Sequence, residues 1–296
     1  MSAPGELLER WGLTVDGAPW RGFMASVWPV LGPEGQRWVL KVTDGHHPLS
    51  GEAAALRAWA DAGAPVVTVH AHDGRALLLD RLDASRDLAG LSDGARADQL
   101  LAELLATLRG VAPPEGVPSM VHEVERIRAA VLDHRAARPD LLAAAVVDRA
   151  LATLEDLALD LRRARPGDLE LVHFDLHHAN VLATLPAAGA PGGDDPDGDD
   201  PGPDAWRVID PLPRAGVREV EVVAPLRNRW ADALAGGDPD RALRRRLDLL
   251  CEVAGLDRAR AEAIAQAVAV DNVLWLRSEG QLHDRFLPPY EVLAAW

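Results

Sequence analysis

The feature that most limits the fold of this chain is a change in its hydrophobic pattern near residue 85. Before that point the apolar residues occur in short runs bounded by Gly, Pro and Asp, a pattern typical of strands. The predicted strands are Ala25–Val30, Arg37–Val42, Pro65–His70 and Arg75–Leu82. One helix is predicted among them, from about Ser50 to Ala62, with Ser50 as its N-cap.

From Gly94 onward the chain is rich in Ala, Leu and Arg, and its apolar residues recur at the helical period. The predicted helices span 94–109, 120–136, 139–165, 219–234, 238–255 and 258–279. We therefore expect an α+β chain with two lobes. Residues 1–83 would form a small lobe with an antiparallel sheet and one main helix, and residues 84–296 would form a larger, mostly helical lobe.

The charge balance narrows the classes of partner. The 296 residues include 46 Asp and Glu against 31 Lys and Arg, which gives a formal net charge of -15. A nucleic-acid-binding protein needs a basic face, so we expect no nucleic acid and instead a small or cationic partner. The sequence has no apolar run of membrane-spanning length, no signal-peptide pattern and a single cysteine, Cys251. These features predict a cytoplasmic protein that does not bind membranes.

Residues 186–204 differ from the rest of the chain because they are rich in Gly, Pro and Asp. Such a composition cannot bury enough apolar surface to fold, which predicts a disordered, solvated loop. Alternating carboxylates at Asp195, Asp197 and Asp199 leave a calcium loop as the alternative. The glycine and the closing glutamate of a helix-loop-helix calcium site are missing, which favours the solvated loop.

Two segments interrupt the helical pattern of the second half and carry a recognisable set of polar residues. In the first, His173 to Leu182, Asp175 is followed by Asn180; in the second, Asp210 ends an apolar run. An Asp, an Asn five residues later and a second Asp after a strand match the base and the two metal ligands of phosphoryl transfer. We predict that Asp175 accepts a hydrogen bond from the attacking hydroxyl and that oxygens of Asn180 and Asp210 bind Mg²⁺.

The basic residues show a second unusual feature, since 30 of them are Arg and only Lys41 is Lys. Lys41 ends a predicted strand, and Glu52 lies 11 positions later at the start of the predicted helix. A kinase needs a lysine on the α- and β-phosphates and a helix carboxylate that orients it. The ammonium of Lys is a compact point charge, whereas the guanidinium of Arg is a wide planar fork. A single Lys in a chain that otherwise uses Arg therefore indicates a site that needs the compact charge, such as the phosphates of ATP. The alternative is a solvated lysine at a strand end.

The segment from His173 to Leu182 resembles the H-G-D-L-H-x-x-N-[VI]-L motif of the aminoglycoside phosphotransferase family. Residues 206–211, followed by Gly216, Glu221 and the run 226–230, resemble the aminoglycoside/hydroxyurea resistance kinase branch of that family. The resemblance extends from about Leu13 to Glu279. It implies a bilobal protein-kinase-like fold, ATP and Mg²⁺ as cofactors, and phosphorylation of a hydroxyl on a small molecule.

Three parts of the sequence depart from the family pattern, one of them at Val217-Arg218, where an Asp-Pro commonly follows the Gly. Phe174 replaces the usual Gly, which should stiffen the loop while Asp175 stays in register. The turn expected to cover the phosphates, residues 21–26, has one Gly rather than three. Short turns that contain Ser serve in this family, so the resemblance implies that Ser26 and nearby backbone N–H groups contact ATP.

Adenine is expected where the lobes join, at residues 78–82, because an extended segment offers backbone groups to the base edge. We name Asp80 and Leu82 as the contacts. An ordinary strand that leads into a loop is the alternative.

Three histidines, His173, His177 and His178, lie within six positions and raise the alternative of a zinc site. Adjacent side chains point apart, and an open zinc site usually takes ligands from more than one segment. We therefore favour a role for His173 in bracing the catalytic loop through hydrogen bonds.

The acceptor substrate is expected against the predicted helix 258–279. Ile264, Val268, Asp271 and Trp275 follow one helical face, and Glu279 continues it. Two acids and an aromatic ring on such a face would suit an ammonium-bearing sugar. The alternative is that Asp271 pairs with one of the many arginines. The family resemblance adds residues that border the same cleft: Arg227, Asn228 and Trp230.

The leading interpretation is an ATP-dependent O-phosphotransferase for an aminoglycoside or a related antibiotic-like molecule. A metabolic kinase for an aminosugar such as glucosamine, or for another small alcohol, is the alternative within enzymes. A nucleotide-binding pseudokinase is the alternative from another class. A protein kinase is disfavoured because the sequence after Asp210 leaves no room for an activation segment.

Overall fold

A computed structural model of the chain describes residues 4–22, 25–43, 48–165, 167–186, 202, 205–279 and 286–296, except for the side chain of Glu279. Nearly all of the predicted acidic loop lies outside these residues; only Pro186 and Gly202 of it are described.

The small lobe is built on one antiparallel sheet. Its elements are α1 (Gly5–Arg10), β1 (Thr14–Val15), β2 (Trp20–Arg21), β3 (Ala25–Leu31), β4 (Arg37–Thr43), α2 (Ser50–Asp61), β5 (Val69–Asp73) and β6 (Ala76–Asp80). The strand order is β1-β3-β4-β6-β5, and β2 also pairs with β3. In the β3–β4 hairpin Val27 lies opposite Lys41, which fixes the predicted phosphate lysine on the middle of the sheet.

The two faces of this sheet have different partners because side chains alternate along a strand. On one face, buried Leu40 and Leu78 pack against α1 through Leu8 and Trp11. Val39 and Lys41, the neighbours of Leu40, lie on the other face and line a cavity between the lobes. The sheet thus separates an apolar outer layer from a cavity-facing inner layer.

Helix α2 begins at the predicted residue, but the prediction of its N-cap is wrong. Leu49 is the N-cap, and no side chain accepts a hydrogen bond there. Ser50 is already the first helical residue, and its hydroxyl lies 3.3 Å from Nε2 of His72. Trp59, near the end of the helix, is fully buried and donates from Nε1 to the carbonyl of Leu108.

The large lobe is mostly helical, with short strands around the catalytic loop. Its elements are β7 (Leu82–Asp87), α3 (Gly94–Thr107), α4 (Val121–Ala137), α5 (Ala144–Arg163), β8 (Glu170–Val172), β9 (Val181–Thr184), β10 (Trp206–Val208), β11 (Arg214–Gly216), α6 (Val223–Arg227), α7 (Trp230–Ala235), α8 (Pro239–Ala254), α9 (Arg258–Glu279) and α10 (Leu287–Ala294). Short 3-10 turns occupy His178–Asn180 and Arg218–Val222. Strands β10, β9 and β7 form one sheet, and β11 and β8 form another. The observed architecture confirms the predicted α+β class.

Two of the predicted elements whose bounds differ in the structure lie close to the site. The predicted strand Pro65–His70 begins only at Val69, and Val66 instead forms an isolated bridge with Val208 of the large lobe. The predicted helix 219–234 is a 3-10 turn followed by two short helices, α6 and α7. The carbonyls of Pro225 and Asn228, at the break between these helices, accept hydrogen bonds from Arg246. These tertiary bonds occur where the continuous helix that periodicity had predicted is interrupted.

The expected lobe boundary after residue 83 falls inside β7, which pairs with β9 of the catalytic region. One apolar cluster extends from Trp59 of α2 to Leu293 of α10 and so joins the lobes. Within the described residues, no helix combines the length and the apolar character that crossing a membrane requires.

Candidate active site

The predicted phosphate lysine lies in a cluster of charges between the lobes. Lys41 donates hydrogen bonds to both carboxylate oxygens of Glu52, at 2.8 and 2.7 Å. It also donates to Oδ1 of Asp210 at 2.5 Å. Burial would lower the pKa of the Lys41 ammonium, but the two carboxylates outweigh it and raise that pKa above its usual value. The structure therefore brings together three of the residues that the sequence had indicated.

The backbone of the catalytic loop is held by a buried carboxylate, Glu221. Its Oε1 accepts the N–H of His173 at 2.5 Å, and its Oε2 accepts the N–H of Phe174 at 3.1 Å. Phe174 has a φ of 69°, in the left-handed region that favours Gly. Because the bonds to Glu221 hold this conformation, a Phe can occupy a position where the family pattern has Gly. Burial raises the pKa of Glu221 to about 7, against the effect of the two N–H bonds.

His173 braces the loop, as predicted. Its Nε2 donates to the carbonyl of Ile209 at 3.0 Å, and its Nδ1 accepts the N–H of Asp175 at 3.3 Å. The first bond requires a proton on Nε2 and the second requires a lone pair on Nδ1, so the ring is neutral. Burial lowers the pKa of His173 to about 4, in agreement with this tautomer.

The other two histidines have partners of their own. Nε2 of His178 lies 2.8 Å from Oδ1 of Asp98, and Nδ1 of His177 accepts the N–H of Ala179 at 3.2 Å. In the part of the chain that the structure describes, no three His, Cys, Asp or Glu side chains are grouped as ligands of one metal ion.

The predicted Mg²⁺ ligands, Asn180 and Asp210, are adjacent because β9 and β10 are paired. The N–H of Ile209 donates to the carbonyl of Asn180 at 3.0 Å. Nδ2 of Asn180 donates to the carbonyl of Asp175 at 2.9 Å, which leaves the amide oxygen available for a cation. The carboxylate of Asp210 is 55% exposed. A neutral oxygen beside an anionic one is a donor set that suits Mg²⁺.

The predicted base, Asp175, forms an ion pair with Arg227. Its Oδ1 accepts from Nη2 of Arg227 at 2.7 Å, and Nη1 of the same guanidinium lies 3.5 Å from the hydroxyl of Tyr290. Nε2 of His177 is 3.8 Å from Oδ2 of Asp175, which is too long for a hydrogen bond. Burial raises the pKa of the Asp175 carboxyl, and Arg227 acts in the opposite direction.

A cavity of about 220 Å³ lies between the lobes beside Lys41. Its wall is mainly apolar and is formed by Val27, Val39, Val67, Leu79, Leu182 and Ile209. Lys41, Glu52 and Asp210 form its polar end. The predicted adenine contacts, Asp80 and Leu82, also line it. An apolar slot that ends in a lysine and two carboxylates suits a nucleotide, with the base in the slot and the phosphates at the polar end.

Some of the groups that were expected to contact the nucleotide have other partners or lie elsewhere. The N–H groups of Asp80 and Arg81 already donate to the carbonyls of Thr68 and Arg37, so neither is left for a base edge. Ser26 is buried and is not among the residues that line the cavity. Its neighbour Val27 does line the cavity, and alternation along β3 places Ser26 on the opposite face.

A second cavity, of about 330 Å³, opens beside Asp175. Its lining comes from α4, α9, the catalytic loop and the C-terminal helix, and includes Glu123, Arg126, Ile127, Phe174, Ile264, Val268, Asp271, Asn272 and Tyr290. Two predicted acceptor residues, Asp271 and Arg227, lie in this lining. The cavity therefore lies next to the predicted base.

Three other predicted acceptor residues, Trp275, Asn228 and Trp230, do not line this cavity. Trp275 is 48% exposed and lies beyond the lined part of α9. The amide of Asn228 donates to the carbonyl of Ala224 at 3.1 Å, within its own helical turn. Trp230 packs partly buried against the main core. The side chain of Glu279 lies outside the described part of the structure.

Sequence reasoning missed the acceptor-cavity residues on other elements. Tyr290 is the only tyrosine of the chain, a signal similar to that of the single lysine. Glu123 and Arg126 form an ion pair at 2.6 Å, three residues apart on α4. Because Arg126 is engaged by Glu123, Asp271 has no ion pair within 4.0 Å among the described residues. Burial raises the pKa of Asp271 to about 6.

The fold and the site together define a phosphotransferase with a protein-kinase-like architecture. A sheet lobe and a helical lobe enclose a cavity that suits a nucleotide, and Asp175 lines a second cavity.

Comparison with known proteins identifies the family. Residues 10–280 match the aminoglycoside/hydroxyurea antibiotic resistance kinase model, so the chain belongs to that family and is a kinase for a small-molecule acceptor. It is 38% identical over 284 residues to a streptomycin 6-kinase of Streptomyces glaucescens, with 93% of this chain and 82% of that protein covered. It is 35% identical over 294 residues to a hydroxyurea phosphotransferase of Kitasatospora aureofaciens, with 98% of this chain and 76% of that protein covered.

The structural comparison supports the fold. A choline/ethanolamine kinase family protein from Mesorhizobium loti has a TM-score of 0.55 and 15% sequence identity, with 95% of this chain and 92% of that chain covered. The bilobal fold that the sequence motif had implied is thus confirmed.

Proposed function

We propose that this kinase transfers the γ-phosphate of ATP to a hydroxyl of a cationic aminocyclitol antibiotic of the streptomycin type. The observation that carries this proposal is the acceptor cavity, which borders the Asp175 carboxylate and contains a second acid, Asp271, without an ion-pair partner among the described residues. Because ATP is the proposed donor, we also propose that the reaction takes place in the cytoplasm.

On the donor side, Lys41 is proposed to bind the α- and β-phosphates while Glu52 orients its ammonium. Asn180 and Asp210 would hold Mg²⁺, which supplies neutralisation of phosphate charge when bound. Asp80 and Leu82 would border the base in the apolar slot. Lys41 also pairs with Asp210, which keeps the proposed phosphate ligand beside a proposed metal ligand.

On the acceptor side, Asp175 is proposed to orient the attacking hydroxyl in line with the γ-phosphate. Positioning of this kind supplies much of the catalysis in phosphoryl transfer. Asp271 lies across the cavity on α9 and would bind a guanidinium or ammonium of the acceptor. The apolar side chains Ile127, Ile264 and Val268 would cover the ring that carries these groups.

The size of the acceptor cavity favours an aminocyclitol over hydroxyurea, the two acceptors that the names of the relatives indicate. Its volume of about 330 Å³ is at the lower end of small-molecule sites, which span roughly 300–1,000 Å³. An aminocyclitol ring with its substituents would fill this space. Hydroxyurea has few heavy atoms and no cation, so it would leave most of the cavity and Asp271 without contacts.

The proposal is tested by offering the purified protein a panel of acceptors with MgATP and measuring ADP release and product mass. Streptomycin should be phosphorylated with a kcat/KM well above those for hydroxyurea and glucosamine. A preference for glucosamine would identify a metabolic kinase, and nucleotide binding without turnover on any acceptor would indicate a pseudokinase. Either result would contradict the proposal.

The proposed role of Asp271 predicts a pH dependence of acceptor binding. Burial raises the pKa of this carboxyl to about 6, with Arg126 and His134 of α4 acting to lower it and Glu123 to raise it. Below that pH the group is protonated and loses its attraction for a cation. We expect the KM for a permanently cationic acceptor to rise about tenfold from pH 7 to pH 5.

The variant Asp271→Asn isolates this effect. Its acceptor KM should be raised at pH 7 and should vary little between pH 5 and pH 7, because the titrating group is gone. Asp133→Asn removes an exposed acid from α4 and serves as the matched control, with KM values like those of the wild type. An unchanged pH profile in Asp271→Asn would assign the titration to another group and remove Asp271 from the acceptor site.

A further inference from the structure

The guanidinium of Arg227, which lines the acceptor cavity, contacts the predicted base. Nη2 donates to Oδ1 of Asp175 at 2.7 Å, and Nη1 lies 3.5 Å from the hydroxyl of Tyr290. Both side chains are only about one-third exposed, at 32% for Arg227 and 28% for Asp175. An ion pair with this degree of burial is less screened by solvent than a surface pair.

The segment that carries Arg227 is fixed from outside the site. Arg227 ends α6, and the carbonyls of Pro225 and Asn228 on either side of it accept hydrogen bonds from Nη1 of Arg246, at 3.3 and 2.7 Å. Arg246 is 6% exposed and is held in turn by Asp98 at 2.9 Å. A buried guanidinium thus fixes the backbone on both sides of Arg227.

The same network reaches the catalytic loop from its other end. Asp98 also lies 2.8 Å from Nε2 of His178, in the 3-10 turn that leads to Asn180. Burial would raise the pKa of Asp98, but the contacts with His178 and Arg246 lower it, so this carboxylate is ionised between them. Asp98 therefore ties the loop that carries Asp175 to the helix corner that carries Arg227.

Only one oxygen of Asp175 is occupied in this arrangement. Oδ1 is engaged by Arg227, while Oδ2 receives no hydrogen bond from the side chains of the described residues. A carboxylate can turn about its last bond and exchange its two oxygens, and a strong bond to one oxygen prevents this. Oδ2 is consequently the oxygen left to accept from a hydroxyl.

We propose that Arg227 is a positioning residue for the catalytic base, which fixes Oδ1 of Asp175 so that Oδ2 faces the acceptor hydroxyl. This inference rests on the proposed role of Asp175 as base, and it replaces the expectation that Arg227 binds the acceptor. A positive charge on the wall of this cavity would repel a cationic acceptor if it were free, and its pairing with Asp175 removes that conflict.

The test separates kcat from KM in variants of Arg227. Arg227→Met should lower kcat about 100-fold, since misplacement of a reacting group by about 1 Å costs this much. The KM values for MgATP and for the acceptor should stay within about threefold of the wild type. Arg227→Lys keeps the charge but loses the planar fork, so it should recover part of kcat. Added guanidinium chloride should partly rescue Arg227→Ala, which a purely structural role would not allow.

Arg162→Met, which removes an exposed arginine from α5, is the matched control and should leave both parameters unchanged. A rise in acceptor KM with kcat retained would show that Arg227 contacts the acceptor and would overturn the inference. Near-normal kinetics in Arg227→Met, with Asp175→Asn inactive, would overturn it while leaving the base assignment intact. If Asp175→Asn is active, the proposed function fails instead. ATP hydrolysis without an acceptor, measured on the same variants, makes the comparison independent of the acceptor chosen.

Discussion

Replacement of Asp175 by Asn should lower phosphoryl transfer by a factor of about 10² to 10⁴, the range that a general base contributes. Asn has the same shape as Asp, and its amide oxygen can still accept the hydrogen bond that Arg227 donates to Oδ1. What is lost is the anionic Oδ2, which is proposed to orient the acceptor hydroxyl. The variant therefore removes the chemistry of the base and leaves the geometry of the catalytic loop.

Two measurements make this result specific. Steady-state turnover with a saturating acceptor should show the loss in kcat, while thermal stabilisation by MgATP should remain as in the wild type, because Lys41, Glu52 and Asp210 are untouched. Asp156→Asn, an exposed position on α5, is the control for replacement of an acid by an amide. Turnover within a few-fold of the wild type in Asp175→Asn would show that the motif does not carry the base.

The part of the site that was predictable from sequence is the part in which chemistry fixes both residue type and spacing. Lys41, Glu52, Asp175, Asn180 and Asp210 belong to elements whose order along the chain is set by the fold, and the structure places them around one cleft. Their types follow from what phosphate and Mg²⁺ require. Their identification needed no knowledge of tertiary contacts.

The acceptor cavity was less predictable because helices distant in sequence build it. The face of α9 was recognised, but periodicity alone extended it to Trp275, where the cavity has already ended. Tyr290 and Glu123 come from α10 and α4, and nothing in their local sequence shows that both helices border one cavity. The contact between Arg227 and Asp175 likewise lies beside the break between α6 and α7, where Arg246 bonds to backbone carbonyls.

Phe174 shows how a departure from a family pattern is accommodated. A bulky residue with a φ of 69° is costly by itself, by about 1–3 kcal/mol. Glu221 offsets this cost by accepting two consecutive N–H groups of the loop. The ring also lines the acceptor cavity, and Arg214 lies over it with its Cζ atom 5.3 Å from the ring centroid. The sequence showed the departure, and only the structure shows its compensation.

Replacement of Lys41 by Arg should lower kcat/KM for MgATP by a factor of about 10², although the charge is conserved. The ammonium lies within 2.8 Å of both Glu52 oxygens and is only 11% exposed in its side chain. A guanidinium is larger and planar, so it cannot occupy this position without displacing Glu52 or Asp210. Overpacking of this kind typically also costs about 1–3 kcal/mol of stability, which a lowered Tm would reveal.

The reverse substitution at another position of the same strand tests whether the loss in Lys41→Arg comes from the shape of the side chain at this site. Arg37→Lys exchanges the same two residue types at an exposed position at the start of the same strand, and it should leave kcat/KM and Tm unchanged. The acceptor KM should also stay constant in Lys41→Arg, because Lys41 lines the nucleotide cavity and not the acceptor cavity. Wild-type kinetics in Lys41→Arg would mean that charge alone suffices at this position. The presence of one Lys beside 30 Arg would then have no functional cause. A loss confined to kcat/KM for MgATP would instead show that the single Lys is needed at the phosphate site.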